Sequence, residues 1–494
     1  MSEALTRPVA PGHQWDGRAD VIVVGGGIAG VCAAIEARAG GADVLLIEAA
    51  SGTGGSSALA AGHFYLGGGT PVQHATGFED SPEEMFKFLA ATSIEPNEAI
   101  IRTYCEGSVE HFHWLEAQGI PFERSYYKDK HVIQPGKDCL IWTGNEKVWP
   151  FREQAVPAPR GHKVAVDGQE GGALAMRLLA GNAEDAGVRV QCDTTVMALL
   201  VDRAGRIVGV RTRSFGVTSD VAAGSVVLTT GGFNMNDEMV ARHVPDLAGV
   251  DRHGTPYDDG SGIMLGEAAG GYTVHMDGAL ITSPFYPPSQ LLKGIVVNSE
   301  GRRFVAEDSY HGRVGSMILK QPGRKAYLIL DAAIFGYPEY EFHPLIDAWQ
   351  HLAEMETDFH LPVGSLVDTM ENYNRHAVEG RDPEFGKHPD WIAPLITPPY
   401  GAFDLSFGEA TYMSGLTFGG LCISPDGEVL RRKGGTVEGL YAAGSCASAI
   451  SQSGLGYASG TNLGQASFFG RRAGRHAARL ATTLANRSLR PRSG

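Results

Sequence analysis

Asp20-Val21-Ile22-Val23-Val24-Gly25-Gly26-Gly27-Ile28-Ala29-Gly30 reads as a short buried strand that runs into G-x-G-x-x-G. Its β-branched apolar residues form too short a run for a helix and match a parallel strand covered on both faces. Gly25 permits a tight turn, Gly27 lets backbone approach a pyrophosphate, and Gly30 lets the next helix lie close to the sheet. That helix is expected from residue 28 to about 39, Ala-rich and buried. Its N-terminus, from Ile28 and Ala29, offers free N–H groups and the positive end of the helix dipole to two phosphates. A second strand, Asp43-Val44-Leu45-Leu46-Ile47-Glu48, ends on an acid placed to accept hydrogen bonds from a ribose, with Ala49 beside it. Strand, glycine turn, helix and acid together predict a bound dinucleotide.

The chain has 494 residues, enough for two or more domains, and a formal net charge of −15 spread along its length. That balance argues against nucleic acid or an anionic membrane as the main partner, since both need a positive surface. Cys32, Cys105, Cys139, Cys192, Cys422 and Cys446 are scattered without C-x-x-C or metal-like spacing. They read as thiols in a reducing compartment, and no metal site is expected. The N-terminal residues lack an apolar signal core, and no run reaches the ~18 apolar residues of a membrane span. A cytoplasmic protein without a transmembrane anchor is expected.

Residues 1–18 read as a loose arm. Thr53-Gly54-Gly55-Ser56-Ser57, Gly62 and Gly67-Gly68-Gly69-Thr70 let backbone pass close to a flat ligand. Helices are expected after Ser81-Pro82 and over 97–118, and the aromatic stretch 126–159 is irregular enough to overhang a site. A helix over 169–186, a hairpin around Asp202-Arg203-Ala204-Gly205, and a buried strand ending in Thr229-Thr230-Gly231-Gly232 follow. Composition shifts near Val274, so residues 274–397 read as a second domain inserted between 1–273 and 398–494. The first fold resumes with Gly439-Leu440-Tyr441-Ala442-Ala443-Gly444-Ser445, and a long helix is expected from 460 to about 485.

In this order the pieces resemble the flavoprotein family of fumarate reductase and succinate dehydrogenase. The resemblance rests on the fingerprint, the 54–70 glycines, Val227 to Asn234, Asp259-Gly260-Ser261-Gly262, Gly301 to Glu307, Asp382 to Gly386 and Gly439 to Gly444. It implies an α/β fold: a Rossmann-like FAD-binding domain with an inserted α+β capping domain, and catalysis in the cleft between them. It implies FAD held by Gly25, Gly27, Ile28, Ala29, Gly30, Glu48, Ala49, Gly54, Gly55, Ser56, Ser57, Gly62, Thr230, Gly231, Gly232, Asp259, Gly444, Ser445, Thr461, Asn462 and Leu463. Succinate dehydrogenases attach FAD through a histidine; Ala58 and Leu59 stand at that place here, so non-covalent FAD is expected. The dicarboxylate reductases use an arginine acid where this chain has Phe335. Without a guanidinium there is neither that proton donor nor a carboxylate clamp.

Gln452-Ser453-Gly454-Leu455-Gly456-Tyr457-Ala458-Ser459-Gly460-Thr461-Asn462 is instead similar to the 3-ketosteroid dehydrogenases, above all the Δ4-(5α) type. The resemblance implies Tyr457 and Ser459 in the cleft, joined by Tyr310 from the cap. Tyr457, with a backbone N–H from Gly460, would grip the ketone oxygen of a 3-ketosteroid. Ser459, relayed through Tyr310, would take the proton at carbon 4 while a hydride leaves carbon 5 for the flavin. Each has a plainer reading: buried tyrosines commonly fill cores, and Ser459 also reads as a helix cap. His63, His131 and His311 show no partner pattern and read as structural or solvent-exposed; Arg313 reads as a member of a surface ion pair, with a proton-relay role in the manner of the dicarboxylate reductases as the alternative. A Δ1-dehydrogenase (which would need Tyr126 or Tyr127 near the flavin), an enoate reductase and an electron-transfer subunit remain alternatives. The electron acceptor is unknown from sequence.

Overall fold

The computed structural model describes residues 4–408 and 410–488. Its centre is a nine-stranded sheet in which Gly17–Val24 runs parallel to Val44–Ile47 on one side and to Val217–Leu228 on the other. Val217–Leu228 also pairs in parallel with Thr436–Ala442, so distant parts of the chain share one sheet. Val21, Ile22 and Val23 are fully buried, as a strand covered on both faces requires. Helices Ile28–Ala39 and Thr461–Ser488 pack together across this sheet. Small residues set their approach: a Cβ at Gly470 would lie 2.3 Å from the Ala29 carbonyl, and one at Gly474 2.0 Å from that of Ala33.

The expected hairpin forms from Thr195–Val201 and Ile207–Ser214, its turn held by the Asp202 carboxylate accepting from the N–H groups of Ala204 and Arg206. The N-terminal stretch is not the loose arm expected. Thr6–Pro8 pairs in parallel with Leu199–Val201, and Gly17 already belongs to the first long strand. The reason is the hairpin's open edge, whose backbone groups gain partners from an added strand. Residues 1–3 lie outside the described residues. Pro82–Thr92 and Glu98–Ala117 form as expected, capped by the side chains of Ser81 and Asn97.

A separate unit is built on a four-stranded antiparallel sheet in the order Ile295–Asn298, Ala326–Asp331, Tyr400–Asp404, Leu345–Trp349. Helix Ser365–Ala377 covers it through Leu366, Met370 and Tyr373. The expected end at residue 397 falls just before the strand Tyr400–Asp404. A buried ion network braces the unit: Arg303 donates to both Glu307 and Asp382 and lies 5.0 Å from the rings of Tyr373 and Phe385. Phe335 packs here too, stacked on Phe403. A smaller sheet of Asp251–Arg252, Ser414–Thr417 and Ala279–Thr282 joins this unit to the main one.

Candidate active site

The glycine turn sits at the C-terminal ends of Gly17–Val24 and Val217–Leu228, where open α/β sheets bind ligands. Gly25 has φ +103°, and a Cβ there would lie 2.5 Å from the Thr229 carbonyl oxygen. A Cβ at Gly30 would lie 1.9 Å from the Gly25 carbonyl oxygen, so helix and turn touch backbone to backbone. At Gly27 a Cβ would meet only the Ser57 Oγ, at 3.5 Å, which leaves that side open for a phosphate. Gly27 is the N-cap of the following helix and has no side-chain cap. The Glu48 carboxylate is buried beside the turn, accepting from the N–H of Gly26 at 2.6 Å and of Ala50 at 2.8 Å. It is thus held at the strand end, next to Ala49, where a ribose would meet it.

Several of the other expected cradle residues gather around this turn. Gly54 donates its N–H to the Gly26 carbonyl, and the Ser57 Oγ accepts from Ile28 N–H, docking residues 54–57 onto the fingerprint. Gly444 packs on Ala29 and begins the turn that contains Ser445. Thr230, Gly231 and Gly232 continue from the end of Val217–Leu228. Gly62 serves packing, since a Cβ there would lie 2.5 Å from Gly171. Asp259 is exposed and accepts from Ser261 N–H, whereas the neighbouring Asp258 faces inward and accepts from the Ser56 hydroxyl and, at 3.0 Å, from Thr255 N–H. Burial pushes the Asp258 carboxyl above its ordinary range. An open phosphate position at a helix start, a ribose-side carboxylate and small residues on three sides fit FAD.

The second half of the site is built on Tyr457. Its segment is pinned from several directions: Gly454 N–H donates to the Ala279 carbonyl at 2.7 Å, and the Gln452 amide donates to the Thr92 hydroxyl and the Gly456 carbonyl. Tyr457 is 7% exposed, its ring stacked on Phe418 at 5.1 Å and tilted against Tyr310 at 5.8 Å. Leu280 and Leu416 complete an apolar cluster around these rings. Tyr457 precedes helix Thr461–Ser488, where Leu463 is also buried, and the backbone N–H groups of Asn462 and Gly460 act to lower its phenol pKa. Burial still raises the phenol to about 12, outweighing those two donors, so it keeps its proton at neutral pH. Burial raises the Tyr310 phenol well above its ordinary pKa, and the nearby Ser459 side chain acts weakly in the opposite direction.

Tyr457 and Tyr310 thus pack together, with Ser459 and Gly460 in the segment that follows Tyr457. Several neighbours carried no expectation from sequence. Asn145 bonds both tyrosine backbones, Phe418 stacks on Tyr457, and Asp258 replaces Asp259 as the inward-facing acid. Asn145 lies within the aromatic stretch expected to overhang the site, which was the one available signal. Of the two readings of His311, structural or exposed, the structure has the first: its ring centre lies 4.0 Å from that of Tyr310, and burial lowers its pKa to about 3. His63 is likewise buried, against Gln134 at 2.7 Å. Arg313, expected in a surface ion pair, is partly buried with its guanidinium 5.1 Å over the Phe151 ring. The Tyr126 hydroxyl accepts from the Trp142 indole at 2.8 Å. Among the described residues, no group of histidines, cysteines and acids could hold a metal ion, and no helix is long and apolar enough to cross a membrane.

Fold and site together define a flavoprotein oxidoreductase that uses FAD, and the chain belongs to the FAD binding domain family, whose pattern matches residues 20–462. It is of the fumarate reductase and succinate dehydrogenase flavoprotein type. The structure is similar to that of the 3-ketosteroid-Δ4-(5α)-dehydrogenase from Rhodococcus jostii RHA1 in complex with 4-androstene-3,17-dione, at 42% identity and a TM-score of 0.89, covering 94% of this chain and 98% of that one. The chain is also 28% identical over 511 residues to the 3-oxo-5-alpha-steroid 4-dehydrogenase of Comamonas testosteroni, covering 90% of this chain and 96% of the other. It is 28% identical over 484 residues to a fumarate reductase (cytochrome) of Shewanella frigidimarina, covering 93% and 77%.

Proposed function

We propose that this protein oxidises a 3-ketosteroid at carbons 4 and 5, giving the conjugated 4-en-3-one. The observation that carries the reading is the buried Tyr457 phenol, whose ring stands 5.8 Å from that of Tyr310 and two residues before Ser459. Burial raises this phenol to about 12, so it keeps its proton and can donate it to a ketone oxygen. That hydrogen bond strengthens as the carbon 4 proton leaves and negative charge builds on the oxygen, which lowers the barrier. The Ser459 hydroxyl takes the carbon 4 proton as it passes its own to Tyr310, whose phenol proton leaves in the same movement to bulk water, so no isolated alkoxide forms. FAD, when bound, supplies the acceptor for the hydride that leaves carbon 5. Leu280, Leu416 and Phe418 around the tyrosines suit a rigid apolar substrate, and the similarity to the Rhodococcus jostii steroid complex supports the same class.

Two observations weigh against the other enzymatic readings. Phe335, where the dicarboxylate reductases use arginine, packs on Phe403 and offers no charge for a carboxylate. The apolar cluster around Tyr457 holds Tyr310 and Phe418 but neither Tyr126 nor Tyr127, one of which a Δ1 reaction would call on. Residues 58 and 59, Ala and Leu, fit non-covalent FAD, and six free thiols fit a cytoplasmic location. The test is turnover of 5α-androstane-3,17-dione with a dye acceptor and mass-spectrometric product analysis. A 4-ene product supports the reading; a 1-ene product, or turnover of fumarate alone, contradicts it.

A further inference from the structure

Asn145 is fully buried, and its side chain is used at both ends. Its amide donates to the Tyr457 carbonyl at 3.1 Å, and its oxygen accepts from Tyr310 N–H at 3.1 Å. One carboxamide therefore ties together the backbones of the two tyrosines that the proposed reaction needs at a fixed spacing. The turn that carries it is itself braced. The Glu146 carboxylate accepts from the Thr143 hydroxyl at 2.5 Å and from Gly144 N–H at 3.0 Å, and Val148 N–H donates to the Asn145 carbonyl at 3.1 Å. Gly144 has φ +145°, and a Cβ there would lie 2.5 Å from the Tyr310 Cβ, so this turn is pressed against the tyrosine.

We infer that Asn145 is a positioning residue: a buried clip that sets the separation between the ketone-gripping Tyr457 and the proton-accepting Tyr310–Ser459 pair. The inference rests on the reaction proposed above. A carboxamide suits the task because it presents a donor and an acceptor at opposite corners of one rigid plane. Alanine leaves a buried carbonyl and a buried N–H without partners, and each backbone shifts to find one. Aspartate keeps the acceptor for Tyr310 but sets a second oxygen against the Tyr457 carbonyl. Only its protonated form restores the donor, and burial raises the pH at which that form persists.

Asn145→Ala is expected to lower kcat per bound flavin about 30- to 100-fold with KM within about threefold, as misplacement by an ångström costs on that order. Asn145→Asp is expected to be slow at pH 8 and to recover at least fivefold relative to the unaltered protein as pH falls toward 5.5. A structural role alone predicts lost flavin or a lower melting temperature with kcat per flavin unchanged; kcat within twofold of the unaltered protein in both variants overturns the inference. A crystal structure of flavin-loaded Asn145→Ala decides the matter without turnover. A Tyr310–Tyr457 ring separation that departs from 5.8 Å supports the clip, and an unchanged one overturns it. Should the unaltered protein oxidise no ketosteroid, the proposed reaction falls, while this structural comparison still rules on Asn145.

Discussion

The nucleotide cradle and the catalytic cleft are made by opposite means. The cradle is mostly backbone, and its centre is one βαβ unit in which Gly25, Gly30 and Glu48 are near neighbours in the chain. The cleft is mostly side chain, assembled from Asn145, Tyr310, Phe418 and Tyr457, which come from four separate segments. A backbone cradle tolerates no added atoms. A side-chain cleft tolerates substitution structurally and loses chemistry instead. The two halves should therefore fail differently when changed.

The largest effect is expected in the cradle. Gly30→Val places carbon 1.9 Å or less from the Gly25 carbonyl, a backbone clash no rotamer relieves. Protein carrying it should retain no flavin, read as visible absorbance per chain after gel filtration. In the cleft, Tyr457→Phe should keep its full flavin complement and lose about 10²- to 10³-fold in kcat, the usual cost of one oxyanion donor. Ser459→Ala and Tyr310→Phe should each lose about 10²-fold, and the double variant little more, because the two hydroxyls act as one relay. Additive losses would break the relay apart into independent roles. Yellow but inactive cleft variants beside a colourless cradle variant would uphold the contrast.

The smallest effect concerns pH and crosses both regions. Burial lowers His63, His162 and His343 to about 4 and His311 to about 3. Their unfolded value is about 6.5, so between those limits the unfolded chain binds more protons. Stability should accordingly fall as pH drops from about 6.5 toward 4, with the full contribution present above 6.5. Melting temperatures across pH 4 to 8 check the sign. His311→Gln should flatten part of the slope if it still folds, since His311 has the lowest value of the four.

What could be read from the sequence follows the same division. Gly25, Gly27, Gly30 and Glu48 were legible because their spacing within one unit is their function. Tyr457 and Ser459 were legible through a local resemblance, and Tyr310 through its place in the capping stretch. Asn145 was not, because nothing about an asparagine in an irregular aromatic stretch indicates that two distant backbones will close on it. Asp258 was passed over for Asp259 since adjacent acids differ only in which way the turn faces them. The N-terminal strand Thr6–Pro8 was missed for a similar reason: it is held by backbone pairing, which leaves little mark on composition. Arg313 was misplaced at the surface because polarity alone does not reveal an aromatic wall beside it.

The most direct measurement is the reductive half-reaction without oxygen. The purified yellow protein is mixed with 5α-androstane-3,17-dione under argon, and the oxidised-flavin absorbance is followed for the unaltered chain and for Tyr457→Phe. Rapid bleaching by the steroid in the first, slowed at least 100-fold in the second, is the predicted result. Equal bleaching in both, or none in the first while another donor bleaches it, contradicts the claim that a ketone is gripped at Tyr457.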